Sequence, residues 1–82
     1  MEIKKNFCGG TLVAEVRGKV DANNAAEFES AIWNEVVQAK KVRIDCSKLE
    51  YISSAGLRVI LKVKKAVNDT EIILLKNLYY LR

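Results

Sequence analysis

Residues 49–61 read LEYISSAGLRVIL, and this stretch decides how the chain is expected to fold. A connecting segment ends at Ile52, two serines follow, and apolar residues then recur at helical spacing. The pattern predicts a helix over about residues 55–67, with the serines at its N-terminal junction.

The two serines, Ser53 and Ser54, carry the most informative local chemistry. The first N–H groups of a helix have no partner within the helix, and a serine hydroxyl that accepts from one of them stabilises it by about 1 kcal/mol over alanine. These N–H groups and the helix dipole also favour an anion, so a phosphate on Ser54 is compatible with the fold. On the simpler interpretation, the serines only cap a soluble helix.

The face of the predicted helix that follows Ser54 is basic. Steps of four residues lead from Ser54 to Arg58 and then to Lys62, and Lys65 lies close by. Arg58 is therefore within reach of a phosphate on Ser54. The residues of this helix that are expected to pack are Leu57, Ile60, Leu61, Val63 and Val67.

Upstream of this junction the chain begins with a predicted β-hairpin. Residues 3–7 and 11–16 have strand character and flank a turn at Gly9-Gly10, where glycine accepts the positive φ of a tight turn. The second strand ends over residues 18–21.

A first helix is predicted over residues 22–38, with Asp21 as its N-cap, because apolar residues recur at steps of three and four. Strands are predicted over residues 41–46 and 70–75, and residues 47–52 are read as a connection. The order ββαβαβ predicts an α/β fold, with helices packed against a mixed, mostly parallel four-stranded sheet. The 82 residues suffice for a single domain over residues 1–82.

Composition excludes several classes of function. The net charge of +4 comes from 14 Lys and Arg against 10 Asp and Glu without a basic run, so direct nucleic-acid binding is not expected. Two cysteines and no histidine leave no ligand set for a metal and no general base for a nucleophile, so neither a metal, a cofactor nor an enzymatic activity is expected. Neither a membrane span nor a signal peptide is evident, which predicts a cytoplasmic protein.

Three blocks of sequence carry a family resemblance: residues 18–21, residues 42–47 and, as the most specific, residues 49–61. In composition and spacing they resemble the STAS family, the domains of anti-sigma factor antagonists and of the cytoplasmic parts of sulphate transporters. In bacterial antagonists of this family, a serine or threonine two residues before a glycine is the phosphoacceptor. Here that glycine is Gly56, so the resemblance implies phosphorylation at Ser54.

The resemblance also implies a function. In the family, the unphosphorylated antagonist binds an anti-sigma factor that is itself a serine kinase, phosphorylation ends the binding, and a PP2C-like phosphatase restores it. The family aspartate before the acceptor is replaced here by Ser53. The partner surface predicted on this basis consists of Asp21, Tyr51, Ser53, Ser54, Gly56, Arg58 and Lys62.

Other functions stay open at this stage. The chain could be a STAS adaptor subunit of a transport or signalling complex that is never phosphorylated, an interpretation that Ser53 favours. A binder of a nucleotide or another small anion at the helix N-terminus is a further alternative.

The C-terminal end is shorter than in the family, whose members continue with further helices. Loss of these helices would uncover apolar residues such as Leu74, Leu78 and Tyr79. Exposed apolar surface favours association, so a homodimer or a strand- or helix-exchanged oligomer is expected.

Overall fold

The computed structural model describes residues 1–73. The end of the predicted last strand and the expectations placed on Leu74, Leu78 and Tyr79 lie outside these residues. In chain order the elements are β1 (Glu2–Cys8), β2 (Thr11–Val20), α1 (Ala25–Val36), β3 (Lys41–Ile52), α2 (Ser54–Ala66) and β4 (Thr70–Ile73).

Within the described residues the strands form one sheet in the order β1-β2-β3-β4. β1 pairs antiparallel with β2, whereas β2 with β3 and β3 with β4 are parallel. The predicted ββαβαβ order and the mixed, mostly parallel sheet are therefore confirmed.

The core lies between one face of the sheet and the two helices. Alternate residues of β2 and β3 on this face are buried, as the period of two along a strand requires. Phe28, Ile32 and Val36 of α1 and Val59, Ile60 and Val63 of α2 belong to the same buried cluster. The sheet residues that face them are Leu12, Ala14, Val16, Val42, Ile44 and Cys46.

Cys46 of β3 is part of the buried core. It is 1% exposed. Burial, with a smaller contribution from the neighbouring Asp45, raises the pKa of its thiol to about 11. The thiol is thus protonated and unreactive at neutral pH.

The hairpin turn forms where it was predicted. Gly9 and Gly10 have φ values of 60° and 80°, which residues with a Cβ rarely adopt. Two successive positive φ angles match the twist of the flanking strands. β1 and β2 therefore pair without a break up to the turn, from Glu2↔Arg17 to Cys8↔Thr11.

The start of the first helix was predicted wrongly. Asp21 does not cap a helix that begins at Ala22; its Oδ1 accepts from the backbone N–H groups of Asn23 and Asn24 at 2.9 and 3.1 Å. These bonds hold a turn over residues 22–24, so α1 begins only at Ala25. The helix also ends at Val36, short of the predicted residue 38.

The connection predicted over residues 47–52 is also wrong, because β3 continues through it to Ile52. Because Ser47, Lys48 and Glu50 are polar, this stretch lacks the regular alternation of apolar and polar residues that indicates a strand. Pairing with the long β2 maintains the strand, with register shifts between Glu15 and Arg17 and between Gly18 and Lys19. Because of this extension, β2 and β3 end together, directly before the serine pair.

Candidate functional site

The site is built where β2 and β3 end side by side. Val20 and Ile52 are the last paired residues of the two strands, and the N–H of Ser53 donates to the carbonyl of Val20 at 2.8 Å. Parallel strands leave the sheet at the same edge, so the segment that starts at Asp21 and the serine pair lie next to each other.

Ser53 is the N-cap of α2. It has an extended backbone, with φ −81° and ψ 171°, and its hydroxyl oxygen accepts from the N–H of Gly56 at 3.2 Å. Its carbonyl accepts from the N–H of Leu57 at 2.9 Å, the first hydrogen bond of the helix. The side chain of Ser53 therefore has a structural partner of its own.

Ser54 differs from its neighbour. It is the first residue of α2 and is exposed to solvent. The N-cap function is already fulfilled by Ser53, so the Ser54 hydroxyl is left accessible at the positive end of the helix dipole. An enzyme that modifies a hydroxyl could reach this serine.

Gly56 lets the first turn of α2 lie directly on the strand ends. A Cβ at this position would stand 2.7 Å from Cγ1 of Ile52 and 2.8 Å from Cγ1 of Val20, closer than packed carbon atoms approach. Gly56 is itself buried. The absence of a side chain at Gly56 therefore sets where Ser53 and Ser54 stand relative to the strand ends.

The turn after β2 is closed by a residue that sequence reasoning missed. Oδ1 of Asn24 accepts from the N–H of Asp21 at 2.8 Å, and its Nδ2 donates to the carbonyl of Lys19 at 3.0 Å. Together with the bonds that Asp21 accepts, these bonds tie residues 19–24 into one unit beside Ser53. An Asp followed three residues later by Asn was the available signal, because such side chains bond reciprocally to nearby backbone groups.

Tyr51 lies beside this unit and is 47% exposed. It pairs with Lys19 at the end of the sheet. Its exposed ring leaves it available to a partner that contacts the serine pair.

Arg58 and Lys62 have different surroundings, although the sequence placed them on one face. Arg58 is exposed, and within residues 1–73 no carboxylate lies within 4 Å of its guanidinium. Lys62 points towards α1, where its Nζ lies 2.5 Å from Oε2 of Glu29 and 4.7 Å from the centre of the Trp33 ring. The contacts of Lys62 with Glu29 and Trp33 were not predicted from the sequence, because both residues belong to a different helix, with Glu29 lying 33 positions away along the chain.

The packing prediction for Leu61 is wrong. Its side chain is 58% exposed, whereas Ile60, Val63 and Val67 are buried as predicted and Leu57 is half-buried. The α2 face that follows Ser54 is thus basic and partly apolar.

The arrangement offers surface for binding. Ser54 and Arg58 are exposed on α2, and Tyr51 is exposed near the end of β3, just before the helix. Within residues 1–73 no group of three or more His, Cys, Asp or Glu side chains is placed to hold a metal ion. No helix in the same part of the chain is long and apolar enough to cross a membrane.

The family of this domain is shown by its sequence. Residues 2–76 match the STAS domain, and the chain belongs to the STAS domain family.

One curated relative is BtrV of Bordetella bronchiseptica, which carries the name of an anti-sigma factor antagonist. The two proteins are 35% identical over 72 residues, which cover 87% of this chain. The chain spans 62% of the length of BtrV.

Solved structures show the same fold. An anti-sigma factor antagonist from Mycobacterium paratuberculosis has a TM-score of 0.78 at 23% identity, over 93% of this chain and 68% of that one. The unphosphorylated antagonist SpoIIAA has a TM-score of 0.72 at 10% identity, over 93% and 88% of the two chains. The phosphorylated form of SpoIIAA, from Bacillus, has a TM-score of 0.71 at 16% identity, over 93% and 73%.

Proposed function

We propose that this chain is an anti-sigma factor antagonist whose binding is controlled at Ser54. When Ser54 is unphosphorylated, the chain binds an anti-sigma factor with serine kinase activity, which frees the sigma factor and permits transcription. Phosphorylation of Ser54 by that kinase releases it, and a PP2C-like phosphatase restores the binding state. These proteins act together in the cytoplasm.

One observation carries the proposal: Ser54 is exposed at the first position of α2, beside a serine that already caps the helix. A hydroxyl with no task in the fold can be modified without unfolding the domain. The names of BtrV and of SpoIIAA support the class of function.

Phosphorylation of Ser54 would act on partner binding through its negative charge. A phosphate adds about two negative charges at neutral pH, and the N-terminus of a helix stabilises them. The local fold is therefore retained, while the charge and shape of the exposed surface around Ser54 change. Binding is lost at the contact surface and not through unfolding.

Affinity capture tests the proposal. Immobilised wild type, Ser54→Asp and Ser54→Ala are exposed to native lysate, and retained proteins are identified by mass spectrometry. Wild type and Ser54→Ala should retain an ATP-binding anti-sigma kinase that Ser54→Asp loses. Ser30→Asp is the matched control, because it adds the same charge at an exposed serine of α1, outside the predicted partner surface, and it should retain the kinase. Equal retention by Ser54→Asp would refute control at Ser54.

A second candidate function is that of an adaptor subunit of a transport or signalling complex. Ser53 favours it, because a serine cap stands where antagonists of the family carry an aspartate. The same capture experiment separates the two functions. Retention of a transporter or sensor complex by every Ser54 variant, with no phosphate on Ser54, selects the adaptor.

A further inference from the structure

Four exposed residues form a line along the outer side of α2. Ser54, Arg58, Leu61 and Lys65 follow one another at steps of four, three and four residues, which keeps them on one helix face. All four are exposed to solvent, and Leu61 is 58% exposed. These four residues are called the α2 stripe below.

The lysines on either side of the α2 stripe are bound within the molecule. Lys62 is paired with Glu29 of α1, and Nζ of Lys64 donates to the carbonyls of Asn68 and Thr70 at 2.9 and 3.2 Å. Within residues 1–73, the charged groups of Arg58 and Lys65 make no such bonds to carboxylates or carbonyls. All four cations are exposed, but the charged groups of Lys62 and Lys64 have partners within the molecule, whereas those of Arg58 and Lys65 have none among residues 1–73.

The helical layer is polarised in charge. α2 carries Arg58, Lys62, Lys64 and Lys65 and contains no Asp or Glu, whereas α1 contains three glutamates and no Lys or Arg. The charged residues of α2 are all basic, so this helix favours a partner surface of negative potential. Opposite potentials attract across an interface, and like charges suppress binding of wrong partners.

We propose that the α2 stripe binds an acidic surface of the partner protein, with Arg58 and Lys65 pairing carboxylates on either side of Leu61. The proposal rests on the proposed function and adds the chemistry of the partner. It also explains release: a phosphate on Ser54 places negative charge at the end of the same line, where it repels an acidic surface and competes for Arg58.

A protein fits the α2 stripe better than a nucleic acid. The two solvent-facing cations are separated by an exposed leucine, and α2 carries no aromatic residue on which a base could stack. Nucleic-acid grooves combine several adjacent cations with such aromatic residues. An apolar centre flanked by charged residues is instead the usual composition of a protein interface.

A titration of the ¹⁵N-labelled full chain with a hexaglutamate peptide at low salt tests the charge preference without the natural partner. Backbone resonances of residues 54–65 should shift most. Arg58→Gln/Lys65→Gln should weaken binding at least about threefold, because two screened surface charges are lost. The matched control Lys40→Gln/Lys41→Gln removes the same charge from two other exposed lysines and should leave the affinity within about twofold.

Three results would overturn the proposal. The first is that the largest shifts occur around Lys40 and Lys41, and the second is that both double variants weaken binding equally. The third is tighter binding of a thymidine dodecamer than of hexaglutamate at residues 54–65, which would assign the α2 stripe to nucleic acid.

The captured partner separates this proposal from the proposed function. If Ser54→Asp keeps the partner while Arg58→Gln/Lys65→Gln loses it, the acidic contact is supported and phosphorylation control fails. If Ser54→Asp loses the partner but the double variant retains wild-type affinity, the switch is supported and the acidic contact is refuted.

Discussion

At the scale of single residues, Ser53 and Ser54 are neighbours with different surroundings. Ser53 accepts a hydrogen bond from the N–H of Gly56, and Ser54 is exposed on the first turn of α2. The sequence predicted that the pair lies at the start of a helix, because a serine followed by apolar residues at helical spacing is typical of a helix N-terminus. It did not distinguish the cap from the exposed serine, since either hydroxyl can cap and only the position of β3 decides which one does.

The serine pair gives a direct stability prediction. Ser53→Ala should lower the free energy of unfolding by about 1 kcal/mol, because the N–H of Gly56 loses its acceptor. Ser54→Ala should change it by less than about 0.5 kcal/mol, as is usual at exposed positions. Equilibrium unfolding in urea measures both values. Equal losses for the two variants would show that the cap is assigned wrongly.

Gly56 gives a second prediction at this scale. Gly56→Ala should destabilise the domain by about 1–3 kcal/mol, because the added methyl group overlaps Val20 and Ile52. The additional loss should be smaller in a Val20→Ala background, where one of the two overlapping groups is absent. Thermal unfolding of the four proteins checks this. An equal loss in both backgrounds would contradict the packing explanation.

At the scale of elements, the position of α2 depends on two strands and one helix. β3 extends to Ile52 and delivers the chain to Ser53 beside the end of β2. The sequence predicted the order and nature of the elements, because helical and strand periods differ. It failed at residues 47–52, where pairing with β2 overrides a polar local sequence.

The contact between α1 and α2 can be measured by a double-mutant cycle. Glu29→Gln and Lys62→Met should show a coupling free energy of about 0.2–1 kcal/mol, the usual range for an exposed ion pair. Glu27 is the matched control, because it is an exposed glutamate of the same helix and, within residues 1–73, forms no ion pair with Lys62. If the coupling free energy between Lys62 and Glu27 were as large as that between Lys62 and Glu29, the ion pair of Lys62 with Glu29 would be contradicted.

At the scale of the whole molecule, several ion pairs hold the strands and helices together. Lys5 of β1 reaches Glu35 of α1 at 2.9 Å, and Glu15 of β2 lies 2.9 Å from Arg17 and 3.2 Å from Lys48 of β3. The pair of Glu15 with Lys48 could not be predicted from the sequence, because it depends on the register shift between β2 and β3. The pair of Lys5 with Glu35 depends on how α1 packs next to β1. These ion pairs make the stability of the domain depend on pH.

The domain should lose stability in acid. Hydrogen bonds from Lys48 and Arg17 lower the pKa of Glu15, a hydrogen bond from Lys5 lowers the pKa of Glu35, and bonds from Ser47 lower the pKa of Asp45. Because these pKa values are lower in the folded than in the unfolded chain, the stabilisation is present above the unfolded values and is lost as the pH falls through the folded ones.

Thermal unfolding between pH 7 and pH 3 checks this expectation. Tm should be nearly constant at the upper end and fall below about pH 5. Glu15→Gln should have a lower Tm near neutral pH and a shallower decline in acid, because one of the groups that takes up a proton on unfolding is gone. A Tm that does not change down to pH 3 would contradict the assignment.

Phosphate transfer within the captured complex tests control at Ser54 most directly. The protein retained by immobilised wild type is given ATP and Mg²⁺, and phosphate sites and released protein are followed by mass spectrometry. The proposed function predicts one phosphate on Ser54 together with release of the partner, while Ser54→Ala remains unmodified and bound. Release without phosphate on Ser54, or a phosphate on Ser53 instead, would contradict it.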